Sequence, residues 1–171
     1  MLCTADISDC GTYRYTLSRE WEGSGKSVAF IGMNPSTADA NTDDPTIRRC
    51  MNFVAAWGGS KLIMVNLFAI RSTDPKLLTN HVRNGGSWDD LVGGNENQDA
   101  LDEAFAQSDN MVAAWGSKVH GTAQATDAMY NYTEKLFALR LNKDGSPAHP
   151  LYLPKSLRPA KWNMADQLEP S

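Results

Sequence analysis

Several polar residues in this chain stand at the ends of apolar runs or in the loops that follow them, and together they can do chemistry: Asn34, Asn66, His149 and the pair Asp43 and Asp44. A carboxamide such as Asn66 presents a donor and an acceptor side by side, which suits the edge of a base. An imidazole such as His149 can donate a hydrogen bond to an oxygen as negative charge builds there, an effect worth about a few kcal/mol. Asn34 can hold a water but cannot deprotonate it, so a carboxylate such as Asp44 would have to take the proton. Each residue also has an ordinary structural reading. Asn34-Pro35-Ser36 is a turn sequence, Asn66 can cap the next segment, Asp43 and Asp44 read as an N-cap pair, and His149 sits in a proline-rich loop.

The elements that must position these side chains follow from the apolar pattern. Ser27 to Gly32 is a short continuous apolar run, which suits a central parallel strand covered on both faces. Lys61 to Asn66, Asn110 to Trp115 and Leu136 to Leu141 supply three more. Between them, Asp44 to Trp57 has proline just after an acidic cap and an apolar face of Ile47, Cys50, Met51 and Val54. Residues 94 to 107 read as a helix through Leu101, Ala104 and Phe105, and Ala123 to Leu139 carries another helical pattern that merges into the fourth strand. Residues 11 to 22 alternate through Tyr13, Tyr15 and Leu17 as a short strand, with a hairpin-like turn at Gly23 to Lys26. The order predicts an α/β fold, a three-layer α/β/α sandwich with a central, mostly parallel, four-stranded sheet, forming one domain over residues 1–171. Ligands in such sheets sit at the carboxyl ends of the strands, where Asn34, Asn66, Trp115 and His149 fall.

These strand-end loops, in this order, resemble those of the uracil-DNA glycosylase superfamily. Gly32-Met-Asn-Pro-Ser36 resembles the loop that places the attacking water, and Leu62 to Arg71 resembles the strand whose terminal asparagine reads a flipped base. Val112 to Ser117 resembles the strand ending in Trp-Gly, and His149-Pro-Leu-Tyr-Leu153 the loop that brings a histidine to the base carbonyl. The resemblance implies hydrolysis of an N-glycosidic bond to a uracil-like or modified pyrimidine base in DNA, without metal or other cofactor. It assigns Asn34 and His149 to catalysis and Asn66 to the base, with Asp43 or Asp44, Asp44 in the first place, as the compensating catalytic carboxylate and Phe53 or Phe68 as the stacking aromatic. Arg48, Arg71, Lys155, Ser36 and Ser146 are the expected DNA contacts, and Leu151 a wedge for the gap left by the base. Where more active relatives have Asp, this chain has Asn34, so a base- or DNA-recognition module of the same fold is the alternative. Over nearly the whole chain, strings such as Met33 to Asp39 and Val65 to Arg71 are similar to a family of bacterial and phage proteins of unknown function.

Composition bounds these readings. With 171 residues and 16 Lys+Arg against 20 Asp+Glu, the chain is one domain with a net charge of −4 and lacks a bulk basic footprint for nucleic acid. The apolar runs fall far short of the roughly 20 residues that cross a bilayer, and the N-terminal stretch carries Asp6 and Asp9 where a secretion signal would be basic. Three cysteines without Cys-x-x-Cys spacing argue against a disulfide framework or zinc site. A cytoplasmic monomer is expected. Neither a Gly-x-x-x-x-Gly-Lys-Ser/Thr nor a Gly-x-Gly-x-x-Gly loop is present, which disfavours other nucleotide-binding α/β enzymes.

Overall fold

In the computed structural model, which describes residues 1–163, a single mixed sheet runs through the middle of the molecule with helices on both faces. The strands are β1 (Leu2–Ile7), β2 (Arg14–Glu20), β3 (Ser27–Gly32), β4 (Lys61–Asn66), β5 (Asn110–Ala113), β6 (Leu136–Ala138) and β7 (Ala160–Lys161), and the helices α1 (Pro45–Ala56), α2 (Leu77–Arg83), α3 (Asn95–Gln107) and α4 (Ala123–Asn131). Their order across the sheet is β1-β2-β4-β3-β5-β6-β7. The four central strands, β4-β3-β5-β6, are mutually parallel and coincide with the four apolar runs of the sequence. No described helix is long and apolar enough to cross a membrane.

The sheet therefore has seven strands rather than four, because antiparallel strands extend both edges. Of these, β2 falls within the strand read at residues 11 to 22, while β1 and β7 were illegible for physical reasons. β1 has an exposed-to-intermediate face throughout, and β7 is two residues long. The turn at Gly23 to Lys26 is not a hairpin either: β2 pairs with β4, so the chain passes over β4 to reach β3. α2 lies in a stretch for which no element was expected.

Two apolar cores flank the sheet. On one face, Ile47, Cys50, Phe53 and Val54 of α1 pack against Leu17, Val28, Phe30, Leu62 and Met64. Pro45 starts this helix where its missing N–H costs nothing, and the Asp44 carboxylate accepts from Ile47 N–H at 2.9 Å, a cap worth about 1 kcal/mol. On the other face, α3 and α4 bury Leu101, Ala104, Ala125 and Ala128 against Ala29, Ile31, Ile63 and Val65. β3 is thus covered on both faces, as a continuous apolar run requires.

Candidate functional site

In the parallel part of the sheet, the chain moves from β3 to β4 on one side and later to β5 on the other. Strand order reverses at this point, so the loops leaving the carboxyl ends of β3 and β5 diverge and leave a crevice. A cleft of about 730 Å³ opens there, within the usual range for a small-molecule site. Its walls are the loop after β3 (Gly32 to Ser36), the end of β4 at Asn66, the loop after β5 (Ala114 to Lys118), the start of α1 and the segments Ser72 to Pro75 and His149 to Tyr152. Gly116, at φ +75°, makes the turn after Trp115 and donates its N–H to Pro147 O at 2.9 Å. That bond ties the third wall to the segment carrying His149.

Asn66 forms part of the cleft wall and is 1% exposed, yet neither Nδ2 nor Oδ1 has a hydrogen-bond partner. A buried carboxamide left unpaired costs about 1–3 kcal/mol, which a ligand's own donor and acceptor would offset. Gly32 makes its position possible: a Cβ there would lie 2.7 Å from Asn66 Oδ1 and 2.9 Å from Met64 Cε. Behind the strand, Asn97 of α3 donates to the backbone oxygens of Asn66 and Leu67 at 3.1 and 3.2 Å, fixing the strand end from the other face.

His149 stands just before a short 3₁₀ turn, Pro150–Tyr152, and its Nδ1 accepts from Leu151 N–H at 3.3 Å. The neutral ring therefore carries its proton on Nε2, free to donate. Although the ring is open to solvent, the protein around it pushes its pKa down, and the Asp44 carboxylate partly opposes that shift. Asp44 itself is nearly buried and faces the same cleft while capping α1. Asn34 also lines the cleft, but its amide is spent on the carbonyls of Pro35 at 3.1 Å, Ile70 at 3.3 Å and Ser72 at 3.5 Å. It staples two walls together.

The fold thus brings Asn34, Asp44, Asn66, His149, Ser36 and Leu151 to one cleft. It places the other expected residues elsewhere. Phe68 is fully buried beneath Trp88, with ring centroids 5.3 Å apart, and Phe53 is buried in a stack with Trp57 at 5.5 Å. Both are core residues, and neither reaches the cleft wall. Arg48, exposed on α1, donates to the Asp43 carbonyl, and Arg71 donates to Gly11 O at 3.2 Å. Lys155 lines a separate hollow of about 80 Å³ with Arg49 and Phe53, and Ser146 is buried in a turn, 2.6 Å from Asp144.

The buried positive charge of the cleft, Arg14 at 1% exposed, escaped the sequence. Alternation through Tyr13, Tyr15 and Leu17 turns it outward. In the structure Asp6 pairs with Thr16 but Ile7 pairs with Arg14, a register shift that leaves Tyr15 out of the ladder. This bulge turns Arg14 inward, to the cleft, and no feature of the local sequence marks it.

Fold and site together define an α/β protein with a largely apolar cleft, set with a few polar side chains, at the carboxyl ends of its parallel strands. Residues 14–151 match a family described as a protein of unknown function (DUF1643), and the chain belongs to that family. Neither a curated protein nor a solved structure matches it.

Proposed function

We propose that the protein is an N-glycosidic-bond hydrolase of uracil-DNA glycosylase type, acting on a uracil-like or modified pyrimidine base in DNA. The observation that carries this reading is the buried, unpartnered carboxamide of Asn66 in the cleft wall. A pyrimidinedione edge offers an oxygen beside an N–H, the complement of that carboxamide. His149 Nε2–H supplies a donor to a base carbonyl as charge builds on the departing ring. Asp44 is the carboxylate for the attacking water, a task that Asn34 cannot perform. Four loops leaving parallel strands converge on the site, which agrees with the order of motifs in the sequence and with the four-strand parallel core.

Labelled oligonucleotides carrying uracil, hydroxymethyluracil or other modified pyrimidines test this at low salt. Alkali-labile product is expected, and it should fall about a hundredfold in His149→Ala or Asp44→Asn. Unchanged excision in both variants would overturn the mechanism. A second reading, a base-recognition module without chemistry, is favoured by the engagement of Asn34 with three backbone carbonyls. Binding to a base-containing oligonucleotide with no abasic product on any substrate would select it.

A further inference from the structure

Arg14 is a positive charge taken out of water without an acidic hydrogen-bond partner. Its Nη1 donates to Ala38 O at 3.0 Å, while its Nε is buried and unpartnered. Burial pulls its pKa down to about 10, and the Asp44 carboxylate, acting through space, pushes the other way, so the group remains charged at neutral pH. The Asp44 hydrogen bond goes to Ile47 N–H instead. Arg19, five residues along the same strand and equally buried, shows the alternative: it holds Asp43 at 2.8 Å and donates to the carbonyls of Thr4, Ser18 and Asp39. A buried guanidinium needs compensating negative charge, and the open side of Arg14 is the cleft.

We infer that Arg14 binds an oxygen of the ligand's heterocycle that carries negative charge, so that the cleft selects the anionic form of a pyrimidinedione over the neutral one. This rests on the hydrolase reading and deepens it. Hydrolysis breaks the bond from the sugar C1′ to the base N1, and the electron pair stays on the base, spreading to its ring oxygens. Water adds to C1′ and gives its proton to the Asp44 carboxylate, and the released base anion is reprotonated from solvent. Arg14 strengthens its interaction as that charge develops, which favours the departing base over the intact nucleotide. The depth of Arg14, as little exposed as Asn66, fits a contact with the base, which enters deepest, rather than with a phosphate held at the mouth.

The test is calorimetric titration of the full chain at neutral pH with uracil and with barbiturate, a similarly shaped ring that is already an anion. The wild-type protein should bind barbiturate about tenfold or more tightly than uracil. Arg14→Gln should erase that margin, Arg14→Lys should keep part of it, and Arg19→Gln should leave it unchanged. Equal affinity of the wild type for the two rings, binding of neither, or a margin that survives in Arg14→Gln, overturns the inference. The wild-type comparison decides the matter even where Arg14→Gln does not fold. Failure here is separable from failure of the hydrolase reading: excision with no preference for the anion removes only the role of Arg14, whereas an Arg14-dependent preference with no excision of any base removes the hydrolase and leaves the anion site standing.

Discussion

The cleft and the structure immediately behind it bury the same kinds of side chain to opposite effect. Asn97, fully buried in α3, donates its Nδ2 to two backbone carbonyls and leaves only its Oδ1 without a partner, while Asn66, nearly as buried on the strand it braces, spends neither end of its carboxamide. Arg19 is wrapped by a carboxylate and three carbonyls, while Arg14 on the same strand has one carbonyl. Burial of polar groups does not by itself mark a site. Buried polar groups without protein partners, gathered on one cavity wall, do, because the fold carries a cost there that a ligand removes.

Breaking the contrast in the cleft should have the largest effect on activity. Asn66→Ala is expected to lower excision at least about a hundredfold without destabilising the fold by more than about 1 kcal/mol, since the lost group has no partner to strand and its own unpaired burial is relieved. Asn97→Ala should do the reverse, costing about 1–3 kcal/mol because it strips the donor from two buried carbonyls. Parallel urea denaturation and excision assays on the two variants would expose an error if both behaved alike. Arg19→Ala is expected to cost about 3 kcal/mol, since it leaves Asp43 and the carbonyls around it unserved, with ligand binding intact once the variant is folded. Its midpoint in denaturant is the check.

The same contrast explains what the sequence disclosed. The parallel core was legible because each of its strands is a short apolar run, and α1 because Asp44-Pro45 and the spacing of Ile47, Cys50 and Val54 agree on its start and its buried face. Asn66 was legible as the polar residue closing such a run, and His149 as a polar residue of the loop that follows the fourth. Phe53, inside α1, and Phe68, just after β4, were not, since an aromatic looks the same in sequence whether it faces a ligand or the core. Arg14 was hidden by a bulge, which depends on the pairing of β1 with β2 and has no local signature. Edge strands such as β1 and β7 escape because they lack the two-sided burial that makes a strand readable.

A smaller effect comes from the tight approach that holds Asn66. Gly32→Ala puts a methyl group against Asn66 Oδ1 and Met64 Cε, so one of them must move; a cost of about 1–3 kcal/mol is expected, with weaker ligand binding in the same titration. An unchanged affinity would mean that Asn66 tolerates displacement and does not set the register of the ligand.

The smallest effect is on His149, which tests whether the cleft acts as one electrostatic unit. Its ring should titrate below the ordinary value near 6.5 by NMR, and Asp44→Asn should lower it further, because the carboxylate is what holds it up. The sign for stability follows from the direction of the shift. The fold prefers the neutral ring, so this contribution is complete above the unfolded pKa and is lost as pH falls through about 6.5 toward the folded value. Solvent around the exposed ring keeps the effect small. Thermal melting across that window should slope less in His149→Gln than in the wild type, and equal slopes, or a His149 titration indifferent to Asp44→Asn, would separate the two groups that the proposed chemistry needs to act on one base and one water.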